Sequence, residues 1–343
     1  MSSSPESGTG ELHQAPRSSI LANPSLRRLA SSVLISLVAG VYAIRVSDWG
    51  SLRGLGERVS WQALPWLALL VMAIVVVTAW RWQRLLDRRA TWSSCLRMAA
   101  IGLAGNQVLP FRGGDAVRTI QAAKLPGISL HRSIAAMAME KVLDLMATAM
   151  FGIGAAGLFL NGGKPATTTT PLVGALLLGA LATFLWSARS GWLHRVVRSS
   201  AWIVKLNPRA YRHVLGPVLH LKSASTIGSL ALPIGLTGLM WFGIYEIAYV
   251  AAGRLVGIDV SPTEAFVLQF AAALGMALPA APSGVGTLHA AIVSAFLLLG
   301  RSPGDGLVLA VAFHAVFFIG LCACGLCALW IPSAPARPSP VPR

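Results

Sequence analysis

Glu140 and Asp144 are the side chains of this sequence best placed to do chemistry. They stand four residues apart, on one helix face, inside the apolar run AMAMEKVLDLMATAMFG. On a helix that begins near residue 129 they lie about 16 and 22 Å along its axis, at ~1.5 Å per residue. A carboxylate facing lipid at such depth costs about 2.5–3.5 kcal/mol on the translocon scale, so the pair must face an internal cavity, a cation, or both. Arg112, Arg118 and the adjacent Lys141 are the candidate cations. Two compatible roles are open to the pair: an ion pair that pins neighbouring elements together, and a site that handles substrate or protons.

Two of those cations come from NQVLPFRGGDAVR, residues 106–118, a polar and helix-hostile segment in a chain made mostly of Ala, Leu, Val and Ile. Backbone N–H groups at a Gly113-Gly114 turn, with the guanidinium of Arg112 or Arg118, would suit a phosphate such as an anionic lipid head group. Asn106, Pro110 and Asp115 lie in the same segment. The alternative is an ordinary cytoplasmic loop from which both arginines snorkel to the membrane surface. Glu246, in WFGIYEIAYV, lies toward the outer end of a run broken by Pro233, and either lines the same cavity or rests at the interface beside Tyr245 and Tyr249. His289 follows PSGVGT and His314 lies in the last apolar run, each a packing residue or a proton shuttle. Cys324 and Cys327 form a C-x-x-C, but no second ligand pair and no neighbouring His accompany it. No metal and no cofactor are therefore expected, and the cysteines read as small packing residues.

The elements that must position these residues follow from composition. With 55% hydrophobic residues, 12% charged and a mean hydropathy of +0.66, the fold class is an all-α polytopic membrane protein, since soluble domains carry roughly 25% charged residues. Apolar runs at 29–44, 61–80, 134–160, 171–186, 227–252 and 307–331 approach or pass the roughly 20 residues that a bilayer core requires. The net charge of +16 does not point to nucleic acid, because the basic residues are scattered through short loops with no soluble domain to present a groove. Residues 1–27 form a polar, disordered cytoplasmic tail, and 332–343 a Pro-rich one. LRRLASSVLISLVAGVYA mimics a secretory signal, but its long polar lead and the spans after it favour a retained first helix.

Of the 28 Lys and Arg, six fall on the outer side (Arg45, Arg53, Arg58, Lys164, Arg254 and Arg301), Lys141 lies within a span, and 21, Arg81 and Arg118 among them, fall on the inner side. Both termini are thus expected in the cytoplasm. That count works only if 98–109 with 116–125, and 265–278 with 288–299, each return to the side they came from. Helices of that length rise roughly 18–21 Å, too little to cross, so they read as re-entrant hairpins. Their tips look alike: Leu109-Pro110 leads to Gly113-Gly114, and Leu278-Pro279 leads to Pro282-Ser283-Gly284-Val285-Gly286. Three spans separate them, so they enter from opposite faces, the signature of an inverted repeat with its site near the midplane. The expected architecture is about six full spans plus two re-entrant hairpins, in a 28–331 domain. Its halves, 28–187 and 226–331, are joined by the basic amphipathic loop 188–225 on the anionic leaflet. Pro282, Gly284 and Gly286 are the second tip's candidate site residues.

Taken in order, Asn106-Gln107-Val108-Leu109-Pro110, Gly113-Gly114-Asp115, Arg118, Glu140, Asp144 and Pro282-Ser283-Gly284-Val285-Gly286 resemble the flippase-like membrane region of bacterial lysylphosphatidylglycerol synthases and their small stand-alone homologues, over roughly residues 30–331. The resemblance implies a lipid flippase fold of two inverted halves in the bacterial inner membrane. Asn106, Pro110, Arg118, Glu140 and Asp144 would be its substrate-cavity residues. Glu140-Lys141 stands where that family often has Glu-Arg, His289 where it has an acid, and His314-Ala315 where it has Arg with Tyr, so a different head group is implied. The 343 residues hold no counterpart of the synthases' soluble aminoacyl transferase domain, and this chain is not expected to make lysyl-lipid itself. The leading expectation is a non-enzymatic translocase of an anionic or aminoacylated phospholipid, or of an isoprenoid lipid. No nucleotide-binding G-x-x-x-x-G-K-[ST] loop is present. A proton, ion or lipid gradient would then drive the movement. Two alternatives stand beside it: an intramembrane transferase with a lipid-linked donor and Glu140 or Asp144 as base, and a membrane scaffold for a separately encoded lipid synthase. The expected partners are a membrane lipid and such a synthase, with no nucleic acid.

Overall fold

A computed structural model of the chain describes residues 24–47, 58–160, 227–278 and 281–332. The expected span 171–186, the basic loop 188–225, Pro279, residues 1–23 and residues 333–343 lie outside the described residues.

The described chain is helical, as lipid demands when each segment must satisfy its own backbone. In order come α1 (Pro24–Val46), α2 (Ala63–Leu85), α3 (Trp92–Val108), α4 (Gly113–Ala123) and α5 (Leu130–Leu160). After the undescribed stretch follow α6 (Ile227–Leu239), α7 (Tyr245–Leu255), α8 (Pro262–Ala277), α9 (Thr287–Leu298) and α10 (Pro303–Cys327). Ala63–Leu85, Leu230–Leu255 and Pro303–Trp330 are long and apolar enough to cross a membrane, with mean hydropathies of 2.3, 1.4 and 2.5. With its 31 residues α5 is longer still. It carries Glu140, Lys141 and Asp144 in its first half. Ser31–Val46 is a shorter apolar helix.

The two expected hairpin pairs are present as helix pairs, α3 with α4 and α8 with α9, displaced by a few residues at their starts because of caps that periodicity alone does not fix. At the start of α3, Thr91 Oγ1 accepts from the Ser94 N–H at 3.3 Å. At the start of α8, Ser261 and Glu264 form a reciprocal capping box. The expected break at Pro233 does not occur. Proline removes one backbone bond early in α6, Thr237 Oγ1 donates to the Pro233 carbonyl at 2.8 Å, and the helix continues. The irregularity in this span is instead a π turn at Met240–Ile244.

Both helix pairs turn by the same backbone recipe. Extended Leu109 precedes Pro110, and then Phe111 and Arg112 both take φ +55°. Extended Ala281 precedes Pro282, and then Ser283 takes φ +60° and Gly284 φ +68°. Three of these four left-handed residues carry a Cβ, which costs about 1–2 kcal/mol each. The tips are therefore held by their surroundings. They also touch, for Ser283 Oγ donates to Gln107 Oε1 at the end of α3.

Apolar packing falls into two clusters. The larger joins α2 to α6–α10 around Leu67, Ile74, Tyr249, Leu268, Ile292 and Leu309. The smaller, around Trp82, Leu86, Cys95, Ala99, Ala122 and Met139, gathers the C-terminal end of α2 with α3, α4 and α5. The first ion pairs of interest lie beside this second cluster.

Candidate functional site

Along α2, Leu67, Val71, Ile74, Thr78, Arg81 and Leu85 repeat at spacings of four and three, and all six are buried. Arg81 therefore belongs to the packed face of a span, not to the inner loop where charge counting placed it. It is 2% exposed. Its Nη1 donates to Asp144 Oδ1 at 2.6 Å and to Thr237 Oγ1 at 3.0 Å, and its Nη2 donates to Asp144 Oδ2 at 3.4 Å. The same Nη2 lies 3.1 Å from Glu140 Oε1. Trp241 Nε1, from the π turn, donates to Asp144 Oδ1 at 3.2 Å.

Glu140, 2% exposed, receives a second guanidinium. Arg118 Nη2 lies 2.5 Å from Glu140 Oε1, and the Arg118 guanidinium carbon stands 4.6 Å above the centre of the Trp82 ring. Arg118 is itself 2% exposed, which corrects the reading of a snorkelling loop residue. It reaches inward because Gly114, Arg118 and Ala122 form the buried stripe of α4.

The Gly113-Gly114 segment also departs from expectation. It is the first turn of α4, not an open anion-binding turn. A Cβ on Gly114 would overlap the Gly102 carbonyl, and one on Gly105 would stand 2.8 Å from Gly114 Cα, so these glycines serve the close crossing of α3 and α4. The Asp115 N–H is not free for a phosphate: it donates to Asn106 Oδ1 at 3.0 Å, while Asn106 Nδ2 donates to Asp115 Oδ1 at 3.0 Å. Asp115 Oδ2 accepts Lys141 Nζ at 2.7 Å, and Arg112 Nε stands 3.9 Å away, its side chain exposed. Pro110 is exposed at the tip beside it. Of the three expected cations, Arg118 alone meets Glu140; Lys141 and Arg112 face Asp115, and Asp144 belongs to Arg81.

The assembled site holds four cations (Arg81, Arg112, Arg118, Lys141) and three carboxylates (Asp115, Glu140, Asp144), a surplus of one positive charge. Arg118 Nε and Nη1, Arg81 Nε and Glu140 Oε2 are buried without a hydrogen-bond partner among the described residues. Unsatisfied guanidinium nitrogens beside a net positive charge are donors of the kind that an oxyanion can complete. Sequence reading missed Arg81, Thr237 and Trp241. For Arg81 the signal was available, in its heptad register with Leu67 and Ile74.

The second tip stands apart from this clamp. Ser283 Oγ lies 2.7 Å from His314 Nε2. The Ala281 N–H donates to Ser36 Oγ at 2.7 Å. Gly286, at φ +87°, packs on the Ser36 carbonyl of α1 where any Cβ would clash, so it permits the close approach of the second tip to α1. Pro282 and Gly284 shape the turn. Glu246 is half-buried on α7 with Oε1 unpartnered, and no ion pair or hydrogen bond among the described residues joins it to the clamp. The four cysteines are free. No group of three or more His, Cys, Asp or Glu among the described residues could hold a metal ion.

The chain belongs to the family described as the lysylphosphatidylglycerol synthase TM region, whose model matches residues 29–325. Among curated proteins it is similar to glycosyltransferase AglD of Haloferax volcanii, 26% identical over 252 residues that cover 63% of this chain and 40% of that protein. It is also similar to a UPF0104 membrane protein of Methanothermobacter thermautotrophicus, 23% identical over 256 residues that cover 70% of this chain and 74% of the relative. The matched part thus spans two fifths of AglD. No solved structure matches the chain.

Proposed function

We propose that this membrane protein is a lipid translocase of the bacterial inner membrane that carries a phosphate-bearing head group past the Arg81–Arg118 clamp between leaflets. The observation that carries the reading is the surplus cation and the unpartnered guanidinium nitrogens on two arginines, each 2% exposed. A buried guanidinium with spare donors is costly unless an oxyanion completes it. Arg112 and Lys141, more exposed and beside Asp115, would hand the head group from the surface to the buried pair. In this reading the helix pairs α3–α4 and α8–α9 are re-entrant hairpins of two inverted halves, with about six full spans and both termini cytoplasmic. Their shared Pro-plus-two-left-handed tips support that symmetry. Asn106, Pro110, Asp115, Glu140 and Asp144 position the clamp, and Pro282 with Gly284 shapes the opposing tip.

A second reading, an intramembrane transferase using a lipid-linked donor, is favoured by the name of the AglD relative. Asp144 suits the base role poorly, since both of its oxygens accept from Arg81. A scaffold for a separate synthase is the third. Purified protein in liposomes with head-group-labelled lipids, scored by dithionite accessibility, separates them. Translocation lost in Arg118→Ala and Asp144→Asn supports the clamp. No movement of phospholipids or isoprenoid phosphates, with sugar transfer from a lipid donor, would replace it by the transferase. Full cell-level function after both substitutions would leave the scaffold.

A further inference from the structure

The lipid clamp leaves His289 and His314 without a role, yet they sit where the two tips meet. The Ser283 hydroxyl donates to Gln107 Oε1 and lies 2.7 Å from His314 Nε2, so one side chain ties the second tip to α10 and to the first hairpin. With its hydrogen given to Gln107, Ser283 Oγ accepts from His314 Nε2–H, which leaves a lone pair on His314 Nδ1. The Gly286 N–H donates to His289 Nδ1 at 3.3 Å, which places the proton of neutral His289 on Nε2. The two ring centres are 5.1 Å apart. Neither His314 Nδ1 nor His289 Nε2 has a hydrogen-bond partner among the described residues.

The groups around this pair are nearly free of charge. α1 offers Ser36 and Tyr42, α3 offers Gln107, and α9 has no ionisable side chain besides His289. On α10, Asp305 stands nine residues before His314 and Cys322 eight after it. On α8, Glu264 is at the far end and is paired with Arg301. The first tip carries Arg112, and Asp115 behind it is already engaged by Asn106 and Lys141. No carboxylate therefore faces the imidazoles among the described residues. A proton added here while the tips touch creates a cation with no counter-charge, opposite a tip that bears Arg112. Such a state is strongly disfavoured. Parting the tips admits water or an anionic head group to the rings and removes the penalty. By linkage, proton uptake then favours parted tips to the same degree that parting favours proton uptake.

We infer that His289 and His314 form a proton-binding site whose occupancy by one proton separates the two tips, so that lipid passage responds to a pH gradient. The last clause rests on the translocase reading; the site itself does not. The test places spin labels at Val108→Cys and Val285→Cys, which are 58% and 50% exposed beside the two tips, in a chain whose four native cysteines are replaced by alanine. In lipid nanodiscs, dipolar broadening should fall between pH 8 and pH 5, a window that brackets the ordinary histidine value of about 6.5. His289→Gln with His314→Gln should abolish that change. His314→Gln alone keeps a side chain able to bond Ser283 and guards against a misfolded double variant. Broadening that is independent of pH in the native chain, or a change that persists in the double variant, would overturn the site. In liposomes, an imposed pH gradient should accelerate lipid movement in the native chain and leave the double variant unchanged. A pH-dependent tip shift without any lipid movement would sink the translocase reading and leave the proton site standing. Lipid movement with a fixed tip distance would sink the proton site alone.

Discussion

Replacing Arg81 by Gln tests whether the buried clamp is one electrostatic unit. The substitution takes from Asp144 two of its three N–H donors, at 2.6 and 3.4 Å, and leaves the Trp241 Nε1 at 3.2 Å. Glu140 keeps Arg118 but loses a cation 3.1 Å away. Breaking a buried pair from one side costs about 3–5 kcal/mol, because the remaining charge stays buried. That is about two to three and a half orders of magnitude in the folding equilibrium, at ~1.4 kcal/mol per factor of ten. Asp144→Asn should cost less, about 1–3 kcal/mol, since Arg81 retains Glu140 and the new amide oxygen still accepts from Trp241. Independent sites would make the double variant the sum of the two. If the residues form one unit, Arg81→Gln with Asp144→Asn removes both charges together and should be no worse than Arg81→Gln alone, a coupling of about 1–3 kcal/mol. Reversible unfolding in mixed micelles, followed by far-ultraviolet circular dichroism, reads all four corners of the cycle. Additivity within about 0.5 kcal/mol, or a cost for Arg81→Gln below that value, would refute the reasoning.

The remaining predictions concern the hairpins that hold the clamp. Gly114→Ala must push α3 from α4, because its methyl overlaps the Gly102 carbonyl, and should cost about 1–3 kcal/mol. Gly235→Ala, with nothing within 4 Å, should be neutral or slightly stabilising, and thermal denaturation of both in one detergent makes the comparison. Asn106→Asp sets a second carboxylate against Asp115, 3.0 Å from the present amide nitrogen. It should be more destabilising than Asn106→Ala in the same assay. Lys141→Arg should preserve the pair with Asp115 and near-native lipid movement, whereas Lys141→Glu should abolish movement in the dithionite assay.

Much of this protein can be read from one-dimensional features. Composition alone requires helices in a membrane, since no other open structure satisfies its backbone there. The two Leu-Pro and Gly-bearing interruptions mark the helix pairs. The depth and spacing of Glu140 and Asp144 require an internal cavity, a cation, or both, because lipid cannot hold bare carboxylates. Which cations answer is a tertiary matter. Arg118 and Lys141 stood near enough in sequence to be named, but Arg81, 59 residues from Glu140 by its numbering, looked like a loop arginine until packing turned its helix face inward. Gly113-Gly114 read as a phosphate turn, since the sequence carries no mark of Gly102 lying across it. Trp241 reaches Asp144 from a π turn that no local propensity announces, and Thr237, one turn earlier, accepts from Arg81. The meeting of His289 and His314 with Ser283 and Gln107 likewise exists only where two hairpins distant in sequence touch. Helix type and the need for a partner follow from local chemistry and solvation, whereas the partner's identity follows from which faces pack, and only the folded chain decides that.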